Sequence, residues 1–468
     1  MADKPNIVLF FADDQRFDTI AALGNSQIKT PNLDRLVDSG TTFTHAHIPC
    51  GTSGAVCMPS RAMLHTGRTL FHLDREGQSI PEDHVMLGET LQSAGYRTFG
   101  TGKWHNGPRA FARSFTDGGE IFFGGMQDHW NVPAHSFDPT GQYASRTMKV
   151  NNCMLDNAES QFISDHVVAG KHSSELFCEA AAGFINGYSD PNPFFTYISF
   201  MAPHDPRSMP KEFREMYDPA TIELPENFMA HHPIEYGNTS CRDELLAPYP
   251  RTPDVTKQHI ADYYGMISHL DHQMGIVIKA LEDKGVLDNT IILFAGDNGL
   301  ALGQHGLFGK QSNYEHSIRV PFIISGPSIP SGERRDAYMY LLDIYPTLCD
   351  LVGIQTPDTV EGVSFKPILD DAAAVTRENL YFAYVNKIRS VKDRRYKLME
   401  FVHEGQKTSL LFDLEKDPWE KANLIATDGY GDIEERLRAE LHRFRDEWDD
   451  EKHRLGVDYW AGYRTMRG

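Results

Sequence analysis

Two pairs of oxygen-donor residues stand behind short apolar segments of this sequence. Asp13 and Asp14 follow NIVLFFA, and Asp297 with Asn298 follow TIILFA and one glycine. Carboxylate and amide oxygens are hard ligands that suit Ca²⁺ or Mg²⁺ better than Zn²⁺. Each pair alone is typical of a turn or a helix cap. Two such pairs behind two apolar segments favour a divalent-metal site.

Three further polar residues occupy the same kind of position. Lys103 and His105 follow an apolar stretch near residue 100, and His204 follows FFTYISF. A lysine supplies fixed positive charge, and a histidine transfers protons near neutral pH. A lone loop lysine is mostly solvated and a lone histidine mostly structural. Their shared placement behind apolar segments favours a functional interpretation for all three.

The apolar segments themselves are typical of buried strands. They cover residues 6–12, 98–100, 194–200, 290–295 and 320–325, and helical patterns at 30–40 and 256–284 lie between them. Apolar strands that alternate with helices predict an α/β fold with a large, mostly parallel central sheet flanked by helices. The carboxyl ends of parallel strands share one edge of the sheet, so the polar residues above are expected to converge there.

The pattern changes after about residue 370. Residues 379–401 alternate apolar and polar side chains, which is typical of antiparallel strands with one solvated face, and a charged helical stretch runs from 431 to 454. We predict a catalytic α/β domain over residues 1–370 and a smaller C-terminal α+β subdomain over 371–468, with a small antiparallel sheet and a helix. Residues 108–190 are rich in Gly, Asn and His and are expected to form loops or insertions.

Composition excludes several classes of protein. The chain has 468 residues, and 45 basic against 65 acidic side chains give a net charge of −20, which argues against a nucleic-acid-binding surface. No stretch approaches the roughly 20 apolar residues of a membrane span. The first residues lack a signal-peptide pattern, so we expect a cytoplasmic protein, or a periplasmic or secreted one if a signal preceded this sequence. The six cysteines form neither a disulfide framework nor a zinc-type pair.

The most specific motif is CMPSRAMLHTGR at residues 57–68. A bare Cys-x-Pro would be interpreted as a buried cysteine before a helix. The full segment resembles the signature of type I, formylglycine-dependent sulfatases in the alkaline phosphatase-like superfamily, which is Cys-x-Pro-Ser-Arg with a downstream Thr-Gly-Arg. The resemblance extends over nearly the whole chain through NIVLFFADDQ, TPNLDRL, GKWH, APH, GDNG and LFDLEKDPWEKANL. His65 and Met58 depart from the residues that are common in the family.

The resemblance implies a role for each residue that matches the family pattern. Cys57 would be oxidised to formylglycine by a formylglycine-generating enzyme and act as the nucleophile, supported by Arg61 and Lys103. Lys103, His204 and Lys310 would contact the sulfate, and His105 would be the base. The metal, usually Ca²⁺ with Mg²⁺ or Mn²⁺ as alternatives, would be bound by Asp13, Asp14, Asp297 and Asn298.

The same resemblance implies a covalent mechanism. One hydroxyl of hydrated formylglycine attacks sulfur, and His204, assisted by Lys310, protonates the departing alcohol. His105 then takes a proton from the second hydroxyl, which expels sulfate. His305, close to Lys310, is a further candidate for substrate binding, with an ordinary loop histidine as the alternative.

These residues predict a sulfuric ester hydrolase that converts a sulfate ester to an alcohol and inorganic sulfate. The preferred substrate is a sulfated saccharide, and no nucleic-acid or membrane partner is expected. Loop side chains of His129, His135, Arg207 and Arg242 are candidates for binding sugar hydroxyls or carboxylates. One alternative is a phosphonate monoester or phosphodiester hydrolase of the same superfamily. Another is a non-catalytic relative that binds sulfated glycans.

Overall fold

The computed structural model describes residues 4–150 and 159–465 and is built on an eight-stranded sheet. In chain order its strands are Asn6–Ala12 (β1), Gly40–Phe43 (β2), Arg97–Lys103 (β3), Asp117–Phe122 (β4), Phe194–Ser199 (β5), Thr290–Gly296 (β6), Phe322–Ser325 (β7) and Glu333–Arg335 (β8). The spatial order is β8-β2-β7-β6-β1-β5-β3-β4. Of these eight strands, β7 alone runs antiparallel to its neighbours. The predicted α/β class with a mostly parallel sheet is confirmed.

Helices cover both faces of this sheet. The longer ones are Pro31–Ser39 (α1), Cys57–Thr66 (α2), Leu87–Ser93 (α3), Pro108–Ser114 (α4), Ser173–Gly187 (α5), Pro253–Lys284 (α6), Ile344–Val352 (α7), Gly431–Glu447 (α8) and Arg454–Thr465 (α9). Shorter ones are Lys211–Arg214, Glu315–Ile318 and Lys366–Asp370. Short peripheral strands are Ala46–His47, Cys50–Gly51, Pro133–Ala134, Arg146–Val150, Glu159–Ile163, His166–Val167, Arg319–Val320 and Met339–Tyr340. None of the described helices combines the length and apolar character that crossing a bilayer requires.

Strand β1 shows why the central strands are apolar on both faces. Leu9 and Phe11 pack in a core that also contains side chains of α2 and α7, whereas Val8 and Phe10 pack in a second core with side chains of α1, α5 and α6. Every residue of β1 is therefore buried. From Ile7 to Ala12 the strand is covered on both faces and every side chain is apolar, so polar residues return only at its carboxyl end.

The expectation of loops over residues 108–190 is wrong for a large part of that region. It contains α4, β4 and the 15-residue helix α5. Cys178, Ala181 and Ile185 of α5 are buried against the central sheet at helical spacing. Gly183 in the helix interior lowers the helix propensity of this segment, so the sequence favours a loop there. Burial of the apolar face compensates for this low propensity. Cys153 lies outside the described residues.

A second, five-stranded sheet follows in the C-terminal part of the chain. It contains Leu380–Tyr384 (β9), Ile388–Lys392 (β10), Tyr396–His403 (β11) and Gln406–Asp413 (β12), and Cys50–Gly51 pairs with β9. Strands β9 to β12 pair in antiparallel fashion, as predicted. The domain boundary at residues 370 and 371 stays a prediction.

The predicted solvated face of this second sheet is wrong. The polar side chains of Arg389, Lys392, Lys397 and Glu400 are buried. C-terminal helical segments supply Asp450 and Arg438 as partners for Arg389 and Glu400. Glu315, from the first part of the chain, forms ion pairs with both Lys392 and Lys397. Alternation of polar and apolar residues therefore reflects buried ion pairs here, not exposure to water.

The buried Asp450 carboxylate connects three C-terminal elements. It accepts hydrogen bonds from Arg389 (Nε 2.7 Å, Nη2 2.9 Å), from the Tyr381 hydroxyl (2.7 Å) and from the Trp460 indole (2.8 Å). A partner lost from a buried ion pair leaves an uncompensated charge. We expect Asp450→Ala to lower the free energy of unfolding by about 3–5 kcal/mol, measured as a shift of the urea denaturation midpoint.

Glu447 offers a control for this measurement. Its pair with Arg443 is about half exposed on both sides. Such pairs contribute about 0–1 kcal/mol, so Glu447→Ala should shift the midpoint little. Equal shifts for the two variants would contradict a stabilising role of the Asp450 network.

Candidate active site

The two pairs of oxygen donors emerge side by side from the central sheet. Strands β1 and β6 are paired so that Ala12 stands opposite Gly296, and the next residues are Asp13 and Asp297. The Asp14 amide donates to Asp297 Oδ1 (3.0 Å), and Asn298 Nδ2 donates to Asp14 Oδ1 (2.6 Å). The parallel register thus brings all four predicted oxygen donors together.

Helix α2 brings the Cys57 motif to the same place. Cys57 is its first residue, and Arg61 lies one turn later on the same face. Arg61 Nε and Nη2 lie 3.0 and 2.9 Å from Asp297 Oδ2. The Ser60 hydroxyl donates to the Asp297 carbonyl (2.6 Å). The spacing of the motif therefore lets Ser60 and Arg61 bind Asp297. Cys57, on the same helix, lines the cavity described below.

Lys103 and His105 flank the Cys57 thiol. The sequence predicted that Lys103 follows the strand. In the structure, β3 is longer than predicted and Lys103 is its last residue. Lys103 Nζ lies 2.5 Å from Asp13 Oδ2 and 3.5 Å from Cys57 Sγ. His105 Nδ1 lies 3.5 Å from the same sulfur. A cation and an imidazole are thus both in contact with residue 57.

His204 and Lys310 complete the cluster. Lys310 Nζ donates to Asp14 Oδ1 (2.5 Å), and His204 Nε2 lies 3.7 Å from Asp14 Oδ2. His204 Nδ1 is 2.8 Å from the Asp205 carbonyl. A cavity of about 310 Å³ opens over these groups. Its walls are formed by Gly54, Ala55, Cys57, His105, Gly125, Met126, His204, Cys241, Arg242, Asp243, Lys310, Gln311 and Tyr384.

The structure does not bring His305 to this cavity. Its ring stacks on Tyr314 with a centroid separation of 4.0 Å, and its Nε2 lies 3.0 Å from Asn227 Nδ2. His305 is buried in an aromatic cluster, which agrees with the alternative of an ordinary loop histidine. It has no part in the site proposed below.

Of the four loop candidates, Arg242 alone lines the cavity. The His129 imidazole is buried against the His204 carbonyl (3.0 Å). Sequence reasoning did not identify Asp243, Gln311 or Tyr384 as cavity residues. Asp243 begins a short 3₁₀ helix, Gln311 lies in a loop and Tyr384 ends β9, and no local motif marks any of them.

The site is dense in buried charge. Three cations, Arg61, Lys103 and Lys310, face three carboxylates, Asp13, Asp14 and Asp297, and none is more than 2% exposed. These carboxylates are close enough to repel one another when all are ionised.

The two carboxylates at the strand ends titrate differently. Burial raises the pKa of Asp13, but the charges of Lys103 and His204 outweigh it and hold that pKa far below its usual range. Burial and the charge of Asp13 raise the pKa of Asp297 to about 7. A divalent cation would remove the repulsion that favours a proton on Asp297.

The donors fit such a cation. Asp13 Oδ1 and Asn298 Oδ1 are buried and accept no hydrogen bond from the described residues. One ligand atom each from Asp13, Cys57 and Asp297 lies within 4.8 Å of the others. Oxygen atoms that are withdrawn from water and left unpartnered are costly, and metal coordination satisfies them.

The Cys57 thiol is poorly suited to act as a nucleophile in its unmodified form. Burial raises its pKa, although the charges of Lys103 and Lys310 oppose that effect. Nucleophilic cysteines have lowered pKa values because the thiolate is the reactive species. The unmodified thiol is therefore mostly protonated at neutral pH.

The chain is similar to proteins of known family. A family model described as Sulfatase matches residues 5–354, and one described as N-sulphoglucosamine sulphohydrolase, C-terminal, matches residues 303–447. An arylsulfatase of Clostridium perfringens is 30% identical, over 94% of this chain and 94% of its own.

Solved structures share the fold at lower identity. One, in complex with its substrate D-glucosamine-2-N,6-O-disulfate, has a TM-score of 0.77 at 21% identity over 96% of this chain and 99% of its own. The phosphonate monoester hydrolase of Agrobacterium radiobacter has a TM-score of 0.73 at 22% identity, over 95% and 96% of the two chains.

The raised pKa of Cys57 predicts slow alkylation of the unmodified thiol. Because that pKa lies above the value of a free thiol, less thiolate is present at pH 7.5, and its fraction increases as the pH approaches 9.5. Peptide-mapping mass spectrometry after iodoacetamide treatment should show Cys57 reacting at least about tenfold more slowly than N-acetylcysteine at pH 7.5. A rate equal to that of the reference thiol would mean that Lys103 and Lys310 stabilise the thiolate.

Proposed function

This chain belongs to the sulfatase family of sulfuric ester hydrolases, and we propose that it hydrolyses the sulfate ester of a saccharide through a formylglycine made from Cys57. The observation that carries the proposal is the position of residue 57. Residue 57 lines the cavity beside a cluster of buried carboxylates. The Cys57 Sγ atom lies 3.5 Å from both Lys103 Nζ and His105 Nδ1. A nucleophile needs such a base and such positive charge around it.

Maturation supplies what the thiol lacks. A formylglycine-generating enzyme would convert Cys57 to the aldehyde, whose hydrate carries one hydroxyl to attack sulfur and a second that allows sulfate to leave. Without this conversion the side chain would be weakly activated, because burial raises the pKa of the thiol.

A divalent cation is the second part of the proposal. Asp13, Asp14, Asp297 and Asn298 would bind it. Their hard oxygen atoms suit Ca²⁺ or Mg²⁺, and the family resemblance favours Ca²⁺. Bound there, it would orient the sulfate and neutralise its charge. Arg61 holds Asp297 in place through two contacts with one carboxylate oxygen.

The two histidines suit different proton transfers. Burial, together with the charges of Lys103 and Arg61, holds the pKa of His105 well below its ordinary value, so its imidazole is neutral and can accept a proton beside residue 57. His204 lines the cavity. With its Nδ1–H donated to the Asp205 carbonyl, protonated His204 has Nε2–H to donate to the departing alcohol. Lys103 and Lys310 supply the fixed positive charge for the sulfate oxygens.

Two observations support a saccharide as the substrate. The cavity of about 310 Å³ is at the small end of the range for small-molecule sites and matches one sulfated sugar unit. The fold neighbour with bound D-glucosamine-2-N,6-O-disulfate places a substrate of this class on the same scaffold.

We expect the converted protein to release inorganic sulfate from an aryl sulfate or a sulfated saccharide. The protein would be co-expressed with a formylglycine-generating enzyme, and the aldehyde at position 57 verified by mass spectrometry. Sulfate release, measured by ion chromatography, should fall at least about 10³-fold in Cys57→Ala, because the covalent step is lost.

The substrate panel separates the proposal from its alternatives. It includes choline sulfate and a phosphonate monoester. Turnover of the phosphonate ester alone would identify a phosphonate monoester hydrolase. Binding without turnover of any ester by the verified aldehyde form would favour a glycan-binding protein.

Metal binding has a readout that does not depend on activity. A ligand at one hundred times its Kd stabilises the folded state by about 2.7 kcal/mol, so Ca²⁺ added to EDTA-treated protein should raise the melting temperature by about 3–5 °C. Asp13→Asn should abolish most of this shift because it removes a charged ligand.

Asp271→Asn is the matched control for the metal experiment. Asp271 is also a buried carboxylate, but it accepts the amide hydrogens of Asn32 and Leu33 at the start of α1. Its variant should keep the Ca²⁺-induced shift. A shift that survives Asp13→Asn would contradict the assignment of the metal site.

A further inference from the structure

One wall of the cavity is an ion cluster formed by Arg242, Asp243 and Asp205, which we call the 242 wall. Arg242 Nη1 donates to Asp205 Oδ1 and to Asp243 Oδ1, both at 2.8 Å. Arg242 Nη2 donates to Asp205 Oδ2. Arg242 and Asp243 line the cavity, and Asp205 lies behind them, next in sequence to His204.

The 242 wall carries a net negative charge. Burial raises the pKa of Asp205, but the hydrogen bonds from Arg242 and the charge of His204 bring it down to about 2. Burial also raises the pKa of Asp243, and Lys310 and Gln311 lower it below the ordinary value. Both carboxylates are thus ionised at neutral pH against a single guanidinium. The two carboxylates and the guanidinium together therefore carry one negative charge.

This charge bears on which groups the wall can bind. The two carboxylates outnumber the one guanidinium, so the wall repels a third carboxylate or a second sulfate of a substrate. Its Nε–H and one Nη2–H have no acceptor among the described residues, and the carboxylate oxygens keep free lone pairs. Sugar hydroxyls both donate and accept, so they match this mixture of groups.

The remaining lining of the cavity agrees with a sugar ring. Met126, which is 42% exposed, and the ring of Tyr384 contribute apolar surface. A pyranose presents hydroxyls at its rim and C–H groups on its faces, so a lining that mixes polar and apolar groups suits it.

The 242 wall is also held rigidly relative to the sulfate-contacting side. Asp243 Oδ2 accepts from Gln311 Nε2 (2.7 Å), next to Lys310. Glu244 accepts the amide hydrogens of Phe308 and Gly309, both at 2.9 Å. The consecutive residues Asp243 and Glu244 thus join the wall to the loop that carries Lys310. A sugar bound at the wall is therefore in a fixed position relative to its sulfate.

We propose that the 242 wall is the subsite for the alcohol part of the substrate, that it binds the hydroxyls of an uncharged sugar unit, and that it discriminates against uronates and against sugars with a second sulfate at that edge. This inference rests on the proposed function, because it assigns the class of saccharide to the same cavity.

Binding to the Cys57→Ala protein in the presence of Ca²⁺ tests the subsite without turnover. Isothermal titration calorimetry would compare methyl glucosides and methyl galactosides with the corresponding uronides, sulfated at the same hydroxyl, and with 4-nitrophenyl sulfate. The members of each sugar pair differ at C6 only. We expect the uncharged sugar sulfate that binds best to have a Kd at least about tenfold below that of its uronide.

Two substitutions in this background separate the parts of the wall. Arg242→Met should raise the Kd of the uncharged sugar sulfate at least about tenfold and narrow its advantage over 4-nitrophenyl sulfate, which has no hydroxyls. Asp243→Asn removes one negative charge and should tighten binding of the uronide relative to the uncharged sugar. Arg395→Met is the matched control, because Arg395 is 39% exposed and pairs with the buried Asp413, whereas Arg242 is 45% exposed and pairs with the buried Asp205. The control should leave every Kd unchanged.

The outcomes distinguish this inference from the proposed reaction. Uronides that bind as tightly as their uncharged partners, or equal losses for sugar and aryl sulfates in Arg242→Met, would overturn the subsite. Selective binding together with no sulfate release by the verified aldehyde form would support the subsite and overturn the reaction. Sulfate release at equal rates from both members of a pair would support the reaction and overturn the subsite.

Discussion

Three carboxylates and three cationic side chains share a volume from which water is excluded at the carboxyl ends of the central strands. An isolated charge in such a place loses its hydration and would be neutralised, so each group depends on a partner of opposite sign. Lys103 pairs with Asp13, Lys310 with Asp14 and Arg61 with Asp297. This mutual dependence fixes the position of helix α2, of the end of β3 and of the loop after β6, and with them the position of residue 57.

The C-terminal sheet contributes to the same constraint from a distance. The segment that begins with Asp297 and carries Lys310 ends at Glu315, which is buried between Lys392 and Lys397 of strands β10 and β11. Lys397 also contacts Glu420 (2.7 Å). The loop that bears Lys310 is therefore held at one end by the central sheet and at the other by the C-terminal sheet. The second sheet is part of what positions the site, whether or not it is a separate folding unit.

Two parts of the cavity would differ in charge once a divalent cation is bound. Lys103, Lys310 and Arg61 balance Asp13, Asp14 and Asp297, so a cation would add the positive charge that suits a tetrahedral oxyanion. The wall around Arg242, in contrast, has a surplus of carboxylate. A substrate with its charge concentrated in one sulfate and with hydroxyls elsewhere is complementary to both parts in one orientation only. In the reverse orientation a sulfate would face carboxylates. Charge distribution over the cavity thus selects orientation as well as composition.

Local sequence determined the central strands and the α/β class, because these depend on short-range rules. The residues proposed to carry the chemistry came from their place behind these strands and from the resemblance of the Cys57 motif to a family signature. Burial on both faces makes a strand continuously apolar, polar residues then appear at its end, and helical spacing places Cys57 and Arg61 on one face. Tertiary structure alone decided which residues are partners. It buried the alternating charges of the C-terminal sheet, placed His305 in an aromatic cluster, formed the helix α5, and paired Arg242 with two carboxylates. The reason is physical, since the charge state and exposure of a side chain depend on neighbours that are distant in sequence, and no local pattern records those neighbours.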